Sequence, residues 1–507
     1  MATLAGVLAT NAGRSPDRTA LIFGEQRHSY RDVNAAVNRA AHALAAAGLR
    51  KGDRMVLMSA NSDDFYIALY AAWRLGALII PVNPASTAAE LRYLLDDSQA
   101  AVVVFGLTAA DAVNSCAQTP PSCWASPPIA LGPVEGYPEL AALAASHPDT
   151  APPVDVAETD DAAILYTSGT TGRPKGALFD HHRILWVGLN TALALGMRDG
   201  DRVLHVAPMY HSADLTMMAV GGTQVGATHV ILPAFTPDAV LDALEKHAVN
   251  VFFGVPTMYQ LVLRHPGLAT RDLSAWRVGI FGAAPMPASA VKAALEALPN
   301  LELIQACGQT EGGPGGIYAR AEDVRARPDA SGRWALFNTE ARVVGPDRED
   351  VEPGGTGELI IRGETVMKGY WRNPEATAET LRDGWLHTGD IATIDADGYI
   401  TLIDRLKDMI ISGGRNIYSV EVENELAAHP AVAEIAIISR KHADYGETVV
   451  AVVNPHPGQT LTLDELREFG AERLSAYKLP RELIVRGIPR NPSGKILKHV
   501  LRAELAR

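Results

Sequence analysis

Residues 29–49 read SYRDVNAAVNRAAHALAAAGL, and residues 54–59 read RMVLMS. In the first stretch Val33, Ala36, Val37, Ala40, Ala41 and Leu44 fall at helical spacing. Ser29 with Asp32 forms a capping box at its start, and Gly48 fits its end. The second stretch is a short, unbroken apolar run that reads as a buried strand. The pattern then repeats along the chain. DDFYIALYAAWRLG (63–76) predicts a helix, ALIIPV (77–82) a strand, AAELRYLLDDS (88–98) a helix and AVVVF (101–105) a strand. Strands alternating with helices imply parallel sheets with helices on their faces, so the fold class is α/β.

Upstream, MATLAGVLATNAGRSPDR has no basic residue ahead of its apolar run, so it reads as an ordinary first helix and not a secretory signal. The nearest approach to a membrane span, LYAAWRLGALIIPV (69–82), is broken by Arg74 and Gly76, and no transmembrane segment is expected. Downstream, residues 107–160 are rich in Pro, Ser and Ala, as in QTPPSCWASPPIALGP (118–133), and read as a surface excursion. Strands are expected again at RVLHVAP (202–208), THVIL (228–232), VFFGVP (251–256), RVGIFG (277–282) and LELIQA (301–306). Residues 339–404 change to short strands and turns, a small antiparallel β unit. An α+β stretch follows, long enough to be a domain of its own.

At 507 residues, 47% hydrophobic and 20% charged, the chain has the size of two or three folded domains. A net charge of −13 with no basic block makes nucleic acid a poor partner. The three cysteines, Cys116, Cys123 and Cys307, form no CxxC pair, so neither a disulfide framework nor a zinc site is indicated; a reducing compartment, the cytoplasm, is expected.

Between these elements lies YTSGTTGRPKG, residues 166–176, with three glycines, four Thr or Ser hydroxyls and two cations. Glycine permits close backbone approach to a ligand, successive N–H groups and hydroxyls can surround phosphate oxygens, and Lys175 adds a point charge. A plain turn between two elements is the alternative; the flanking Ser168 and Lys175 tilt the reading to phosphate. It is not a Walker loop, and GxGxxG, GxSxG and HExxH are absent, so nicotinamide-dependent and common hydrolase chemistries lack their signatures.

With PMYHSAD (208–214), GAAPMP (282–287), CGQTE (307–311), GYWRNPEAT (369–377), GWLHTGD (384–390), DRLKDMIISGGRNIYSVEVE (404–423) and PRNPSGKILK (489–498), the ordered series strongly resembles the adenylate-forming superfamily, in particular its acyl-CoA ligases of the fatty-acyl type. The resemblance implies two doubly wound sheets and the small β unit in an N-terminal domain, residues 1–404. It implies a mobile α+β C-terminal domain, residues 405–507, turning on a hinge at Lys407. It also implies a carboxylate attacking ATP to give an acyl adenylate and pyrophosphate, then coenzyme A displacing AMP. ATP and coenzyme A are cosubstrates, Mg²⁺ is the metal, and a homodimer is admitted.

The same resemblance implies residue roles. Lys495 neutralises the carboxylate and phosphate oxygens during adenylation, a task that suits an ammonium on a flexible stem. Thr167, Ser168, Gly169, Thr170, Thr171, Gly172 and Lys175 hold the phosphates. Glu311 and Thr167 hold Mg²⁺, and Thr310 meets a phosphate. Gly282, Ala283 and Ala284 border the adenine together with Cys307 and Gly308. Asp390 accepts hydrogen bonds from the ribose hydroxyls and Arg405 makes a second ribose or phosphate contact. His211 borders the substrate carboxylate, and HSADLTMMAVGG (211–222) lines the acyl pocket. Gly413 and Gly414 leave room for the pantetheine arm. The family commonly has an aromatic where this chain has Cys307, so Cys307 is expected to be a buried small hydrophobe with weaker stacking on adenine.

No Arg or Lys occurs between His211 and Thr228, where a dicarboxylate would want a second cation. An apolar monocarboxylate is therefore expected, a medium- or long-chain fatty acid or an aromatic or ring-bearing acid. Loading of a carrier protein, a luciferase-like oxygenase and a non-catalytic nucleotide sensor are the other readings.

Overall fold

Ser29 Oγ accepts from the Asp32 backbone at 3.2 Å and the Asp32 carboxylate accepts from the Ser29 N–H at 3.1 Å, so helix Tyr30–Ala46 begins where the capping box predicts. Its Val33, Val37, Ala40, Ala41 and Leu44 form the buried stripe. The first helix, Leu4–Arg14, is capped by Thr3, as the N-terminal reading expects. The structure, a computed structural model, describes residues 2–167, 173–284, 286–490 and 496–505. They divide into two units. One holds residues up to Thr167, Lys175–Ala341 and Ile361–Leu386; the other includes Arg342–Ile360 and His387–Arg507.

The first unit contains two large sheets. In one, Arg54–Met58 pairs in parallel with Leu78–Pro81 and with Val102–Gly106. Val56 and Met58 pack into one apolar cluster with Ile80, Val103 and Phe105, while Met55 and Leu57 pack into another with Ile79, Val102 and Val104. A strand buried on both faces has no solvent side on which to carry polar residues, which is why RMVLMS is continuously apolar. Full burial of each such side chain contributes about 2 kcal/mol. The other sheet runs, edge to edge, Trp334–Ala335, Gly316–Ala319, Glu302–Gly308, Val278–Gly282, Val251–Gly254, Arg202–His205, Thr228–Ile231, Thr19–Phe23 and Gln26–Ser29. Chain order reverses between Val251–Gly254 and Arg202–His205. In open α/β sheets such a switch point lies where loops at the strand carboxyl ends spread apart and leave a crevice.

One local reading is corrected. Residues 107–160 are not a plain excursion: they form helices Ala110–Ala117 and Leu140–Ala144 and a strand, Ile129–Leu131, that extends the first sheet by pairing in parallel with Val104–Gly106. The strand is too short for a periodic signal, and its partner is remote in sequence. The chain after the Gly/Thr-rich stretch does not enter a helix directly. Lys175–Asp180 first returns antiparallel to Asp161–Thr167, and Asp180 then caps helix His181–Ala194.

In the second unit, Gly446–Pro455 pairs with Val432–His442, with Ile410–Ser412 and, in parallel, with Glu482–Val485. Ile437, Val449, Ala451 and Val453 face a cluster holding Val422 and Leu466. Ala436, Ile438, Val450 and Val452 face Leu501 of the C-terminal helix Lys498–Leu505.

His181 is fully buried, and its Nδ1 accepts the Leu4 N–H at 3.3 Å. Burial pushes its pKa from 6.5 down to about 4. The unfolded chain therefore binds the extra proton first. The stability due to neutral His181 is complete above pH 6.5 and is lost progressively as pH falls to about 4, by roughly 3 kcal/mol. Melting curves from pH 7 to pH 4 should show the midpoint falling through this window. His181→Asn, which keeps an acceptor for Leu4 but does not titrate, should fall less steeply; equal slopes would place the acid sensitivity elsewhere.

Candidate active site

The site residues of the first unit sit at strand carboxyl ends. Thr167 ends Asp161–Thr167, Gly282 ends Val278–Gly282, Gly308 ends Glu302–Gly308, and the loop after Arg202–His205 leads to His211. Gly282 and Gly308 are required by close backbone approach. A Cβ on Gly282 would meet the Ala306 carbonyl, and one on Gly308 the carbonyls of Pro314 and Gly315, none of which can move aside as a side chain can. Ala283 beside them holds φ +65°, a left-handed conformation that costs a non-glycine residue of order 1 kcal/mol and is tolerated where surrounding structure imposes it.

Glu311 lies in the tight turn Thr310–Gly312 and is only 8% exposed. Its Oε1 accepts from the Thr167 hydroxyl at 3.3 Å and from the Tyr370 hydroxyl at 2.9 Å. Lys175 Nζ lies 5.2 Å from the centre of the Tyr370 ring. Thr310 Oγ1 is 3.1 Å from Ser212 Oγ. Among the described residues no cation forms an ion pair with Glu311, and no three His, Cys, Asp or Glu side chains cluster as metal ligands. A nearly buried carboxylate without a cation is costly. One carboxylate with adjoining hydroxyls fits Mg²⁺, a hard ion that keeps waters and takes the rest of its oxygens from substrate phosphate.

His211 is exposed at the start of this edge, with its Nδ1 3.5 Å from the Ala213 N–H. The segment after it, Ala213–Val220, winds as a π-helix and is buried throughout. Such helices recur at functional sites because the wider turn costs hydrogen-bond geometry. Below it lies a polar chain. Asp214 Oδ1 meets His205 Nδ1 at 2.7 Å, His205 Nε2 meets His229 Nδ1 at 2.9 Å, and His229 Nε2 meets Thr223 Oγ1 at 3.3 Å. Tyr66 and Tyr70 hydroxyls reach the same Thr223 oxygen at 2.6 and 2.8 Å. Burial, with His205 alongside, holds His229 well below the ordinary imidazole range. Thr223 gives its own hydroxyl proton to the Ala219 carbonyl at 2.7 Å.

In the second unit, Asp390 and Arg405 face each other across paired strands and close an ion pair of 2.5 Å. Asp390 N–H donates to Thr388 Oγ1, and Leu406 N–H to the Gly389 carbonyl. Lys407 is exposed in the turn that follows, where the N–H groups of Asp408 and Met409 both donate to the Arg405 carbonyl. Gly413 and Gly414 hold φ +58° and +76° in the two-residue turn joining Ile410–Ser412 to Arg415–Ile417, a hairpin that needs both torsions positive.

The structure thus brings Thr167 to Glu311 with Lys175 near their common partner, and Asp390 to Arg405. Ser168, Gly169, Thr170, Thr171, Gly172 and Lys495 lie outside the described residues. Cys307 is half-buried, not buried as expected, because it stands one residue before the carboxyl end of its strand. Tyr370, Ser212 and the His205–Asp214 chain were missed by sequence reasoning. Tyr370 stood inside the quoted GYWRNPEAT, whereas the polar chain draws on remote elements and leaves no local pattern.

The family description "AMP-binding enzyme" matches residues 8–371, and "AMP-binding enzyme C-terminal domain" matches residues 421–495. A feruloyl-CoA synthase from Amycolatopsis sp is 39% identical over 492 residues, 97% of this chain and 96% of that protein. The long-chain-fatty-acid–CoA ligase FadD13 of Mycobacterium tuberculosis is 35% identical over 479 residues, 94% of this chain and 93% of the relative. Among solved structures, ATP-bound MatB from Rhodopseudomonas palustris superposes with a TM-score of 0.89 at 32% identity, covering 99% of this chain and 98% of its own.

Glu311→Gln keeps an acceptor for Thr167 and Tyr370 but removes the buried charge. Without ligands the melting temperature should hold or rise, by roughly 1 kcal/mol in stability, while protection by ATP with Mg²⁺ should disappear. A marked fall in the ligand-free melting temperature would show that Glu311 is a structural anion.

Proposed function

The chain belongs to the AMP-binding enzyme family, among its acyl- and aryl-CoA ligases, and from that premise we propose that it joins an apolar monocarboxylate to coenzyme A. A carboxylate oxygen attacks the α-phosphorus of ATP, and the bond to the departing pyrophosphate breaks. The coenzyme A sulfur then attacks the acyl carbon, releasing AMP and the thiol proton. The first step drives an anion toward a polyanion, so its obstacle is repulsion and its remedy is placed positive charge. The cluster of Glu311 with Thr167 and Tyr370 carries the reading. Bound Mg²⁺ would draw charge from the phosphates there.

Glu311 and Thr167 would hold the metal, and Thr310 would meet a phosphate oxygen. Lys175 and the residues 168–172 would cradle the triphosphate. Adenine would lie against Gly282, Ala283, Ala284, Cys307 and Gly308. Asp390 would accept from the ribose hydroxyls, with Arg405 already paired to it as the second contact. Lys495 would neutralise the incoming carboxylate, and His211 would border it. The C-terminal part, residues 405–507, would then turn about Lys407 so that Gly413 and Gly414 admit the pantetheine arm; their turn presents no side chain. A cytoplasmic location rests on the cysteine reading, three cysteines with no CxxC pair, and light scattering would test the homodimer.

The acyl segment supports the substrate class. Ala213–Val220 carries the buried acid Asp214 and no cation, which disfavours a second substrate carboxylate. A medium- or long-chain fatty acid is the leading substrate. The 39% likeness to a feruloyl-CoA synthase favours an aromatic acid as the second reading.

Three measurements test this. Across fatty acids, ferulate and malonate, assayed by pyrophosphate release with ATP and coenzyme A, malonate should be the poorest; preference for it would overturn the pocket argument. Lys495→Ala should slow acyl-adenylate formation by about a hundredfold or more and spare thioester formation from supplied adenylate; equal loss in both would contradict its role. Cys307→Tyr should tighten ATP if stacking is what the native thiol lacks, and an unchanged Kd would show that its neighbours already supply the contact.

A further inference from the structure

Two histidines on neighbouring strands hold one helical segment at both of its ends. His229 lies in Thr228–Ile231, which pairs in parallel with Arg202–His205, and its register partner is Val203. Residues two apart in a strand share a face, so His205 and His229 project to the same side of the sheet. Both are fully buried, with His205 Nε2 2.9 Å from His229 Nδ1. The other nitrogen of His205 meets Asp214 at the head of the π-helical segment, and that of His229 meets Thr223 just past its tail. Tyr66 and Tyr70, from helix Asp63–Arg74, reach the same Thr223 oxygen. Two small residues let the segment sit this close. A Cβ on Gly222 would lie 2.8 Å from the His229 ring, and one on Gly221 3.0 Å from the Gly188 carbonyl of helix His181–Ala194.

The winding between those ends has to be held. At eight residues it is longer than the single-turn bulge in which π winding mostly occurs. Left to itself the segment relaxes to α winding, in which each residue turns further about the axis. That difference accumulates along the segment. Met217 and Met218 would then present other faces to the cluster they share with Val187, Phe253 and Leu336. An apolar pair in place of the histidines would fill the space without fixing a direction. Hydrogen bonds weaken steeply off axis, so each sets an angle as well as a distance. The head of the segment also reaches the nucleotide side of the site. The Ser212 carbonyl accepts from Thr216 Oγ1 at 2.7 Å, and the Ser212 hydroxyl lies 3.1 Å from Thr310 Oγ1.

We propose that His205 and His229 are specificity-determining residues: as a clamp between Asp214 and Thr223 they fix the π winding of the acyl segment, and that winding decides which carboxylate the site accepts. This rests on the reading above that residues 211–222 line the acyl pocket, and it assigns the device that sets the shape of that wall. Both histidines act through Asp214 and Thr223, so they are positioning residues and not catalytic ones.

The test uses the full-length protein and two readouts. One is hydrogen exchange at the amides of residues 213–223, which does not depend on activity. The other is selectivity, the ratios of kcat/KM among octanoate, palmitate and ferulate, assayed by pyrophosphate release with ATP and coenzyme A. His205→Leu and His229→Leu, singly, should speed exchange across the segment by about tenfold or more. Each should also change at least one selectivity ratio by about tenfold. A merely structural role scales every acid alike with the fraction of folded enzyme and leaves the ratios untouched. The double variant should match the single ones, because either break opens the same clamp; effects that multiply would overturn it. Thr223→Ser, which keeps the hydroxyl, should behave as the native protein does. Melting curves identify a variant that fails to fold, and Asp214→Asn, at the head of the chain, then takes its place. Unchanged exchange, or unchanged ratios in folded variants, overturns the proposal. If the native protein releases pyrophosphate with none of the acids while the leucine variants still speed exchange, the fault lies with the ligase reading and not with the clamp.

Discussion

Burial of parallel strands on both faces is the constraint from which the first unit follows. Where Val56 and Met58 enter one core and Met55 and Leu57 the other, no position along the strand can carry an ionised group without stranding it. Polar chemistry is displaced to the strand ends, and specifically to the carboxyl ends, where loops diverge around the reversal in strand order. Thr167, Gly282, Gly308, Thr310 and Glu311 are there for that reason. The same crowding explains the glycines: backbone from neighbouring strands approaches so closely at Gly282 and Gly308 that a methyl group has no place.

Two buried acids show how the fold treats charge differently according to use. Glu311 gathers two hydroxyls on one oxygen and has no cationic partner among the described residues. Asp214 instead ends an internal chain through His205, His229 and Thr223, which secures the π-helical segment to the sheet beneath it. Its other oxygen, Oδ2, is buried without a hydrogen-bond partner, a cost that the surrounding packing holds in place. Asp214 lies three residues from His211 and two from Ser212, whose hydroxyl meets Thr310. The internal chain therefore bears on the placement of the loop that edges the site.

The second unit uses its charges mechanically. Asp404 and Glu423 are both pushed up by burial, with Lys498 acting against that rise, so their acidity is tuned by the same ammonium that anchors the last helix. Asp404 also caps the helix Ser419–Leu426 through Ser419. One acidic residue thereby joins a strand end, a helix start and the C-terminal helix, next to the turn that carries Lys407.

Much of this was legible in one dimension. The capping box at Ser29 and Asp32, the apolar strands near residues 56, 80 and 103, the antiparallel character past residue 339 and the ordered loops that carry Thr167, Glu311, Asp390 and Arg405 depend on local spacing or on short motifs, and local order survives in sequence. What the linear chain concealed is pairing between distant residues. The strand Ile129–Leu131 exists because an edge at Val104–Gly106 was open to it, and Lys175–Asp180 is a strand because Asp161–Thr167 lies alongside. The Tyr370 hydroxyl on Glu311, the Asp214–His205–His229 chain and the reach of Arg502 back to Asp408 span from nine to ninety-four positions. Periodicity reports which face of an element is apolar. Which remote polar groups meet depends on how the faces are stacked, and that is settled only when the whole core closes.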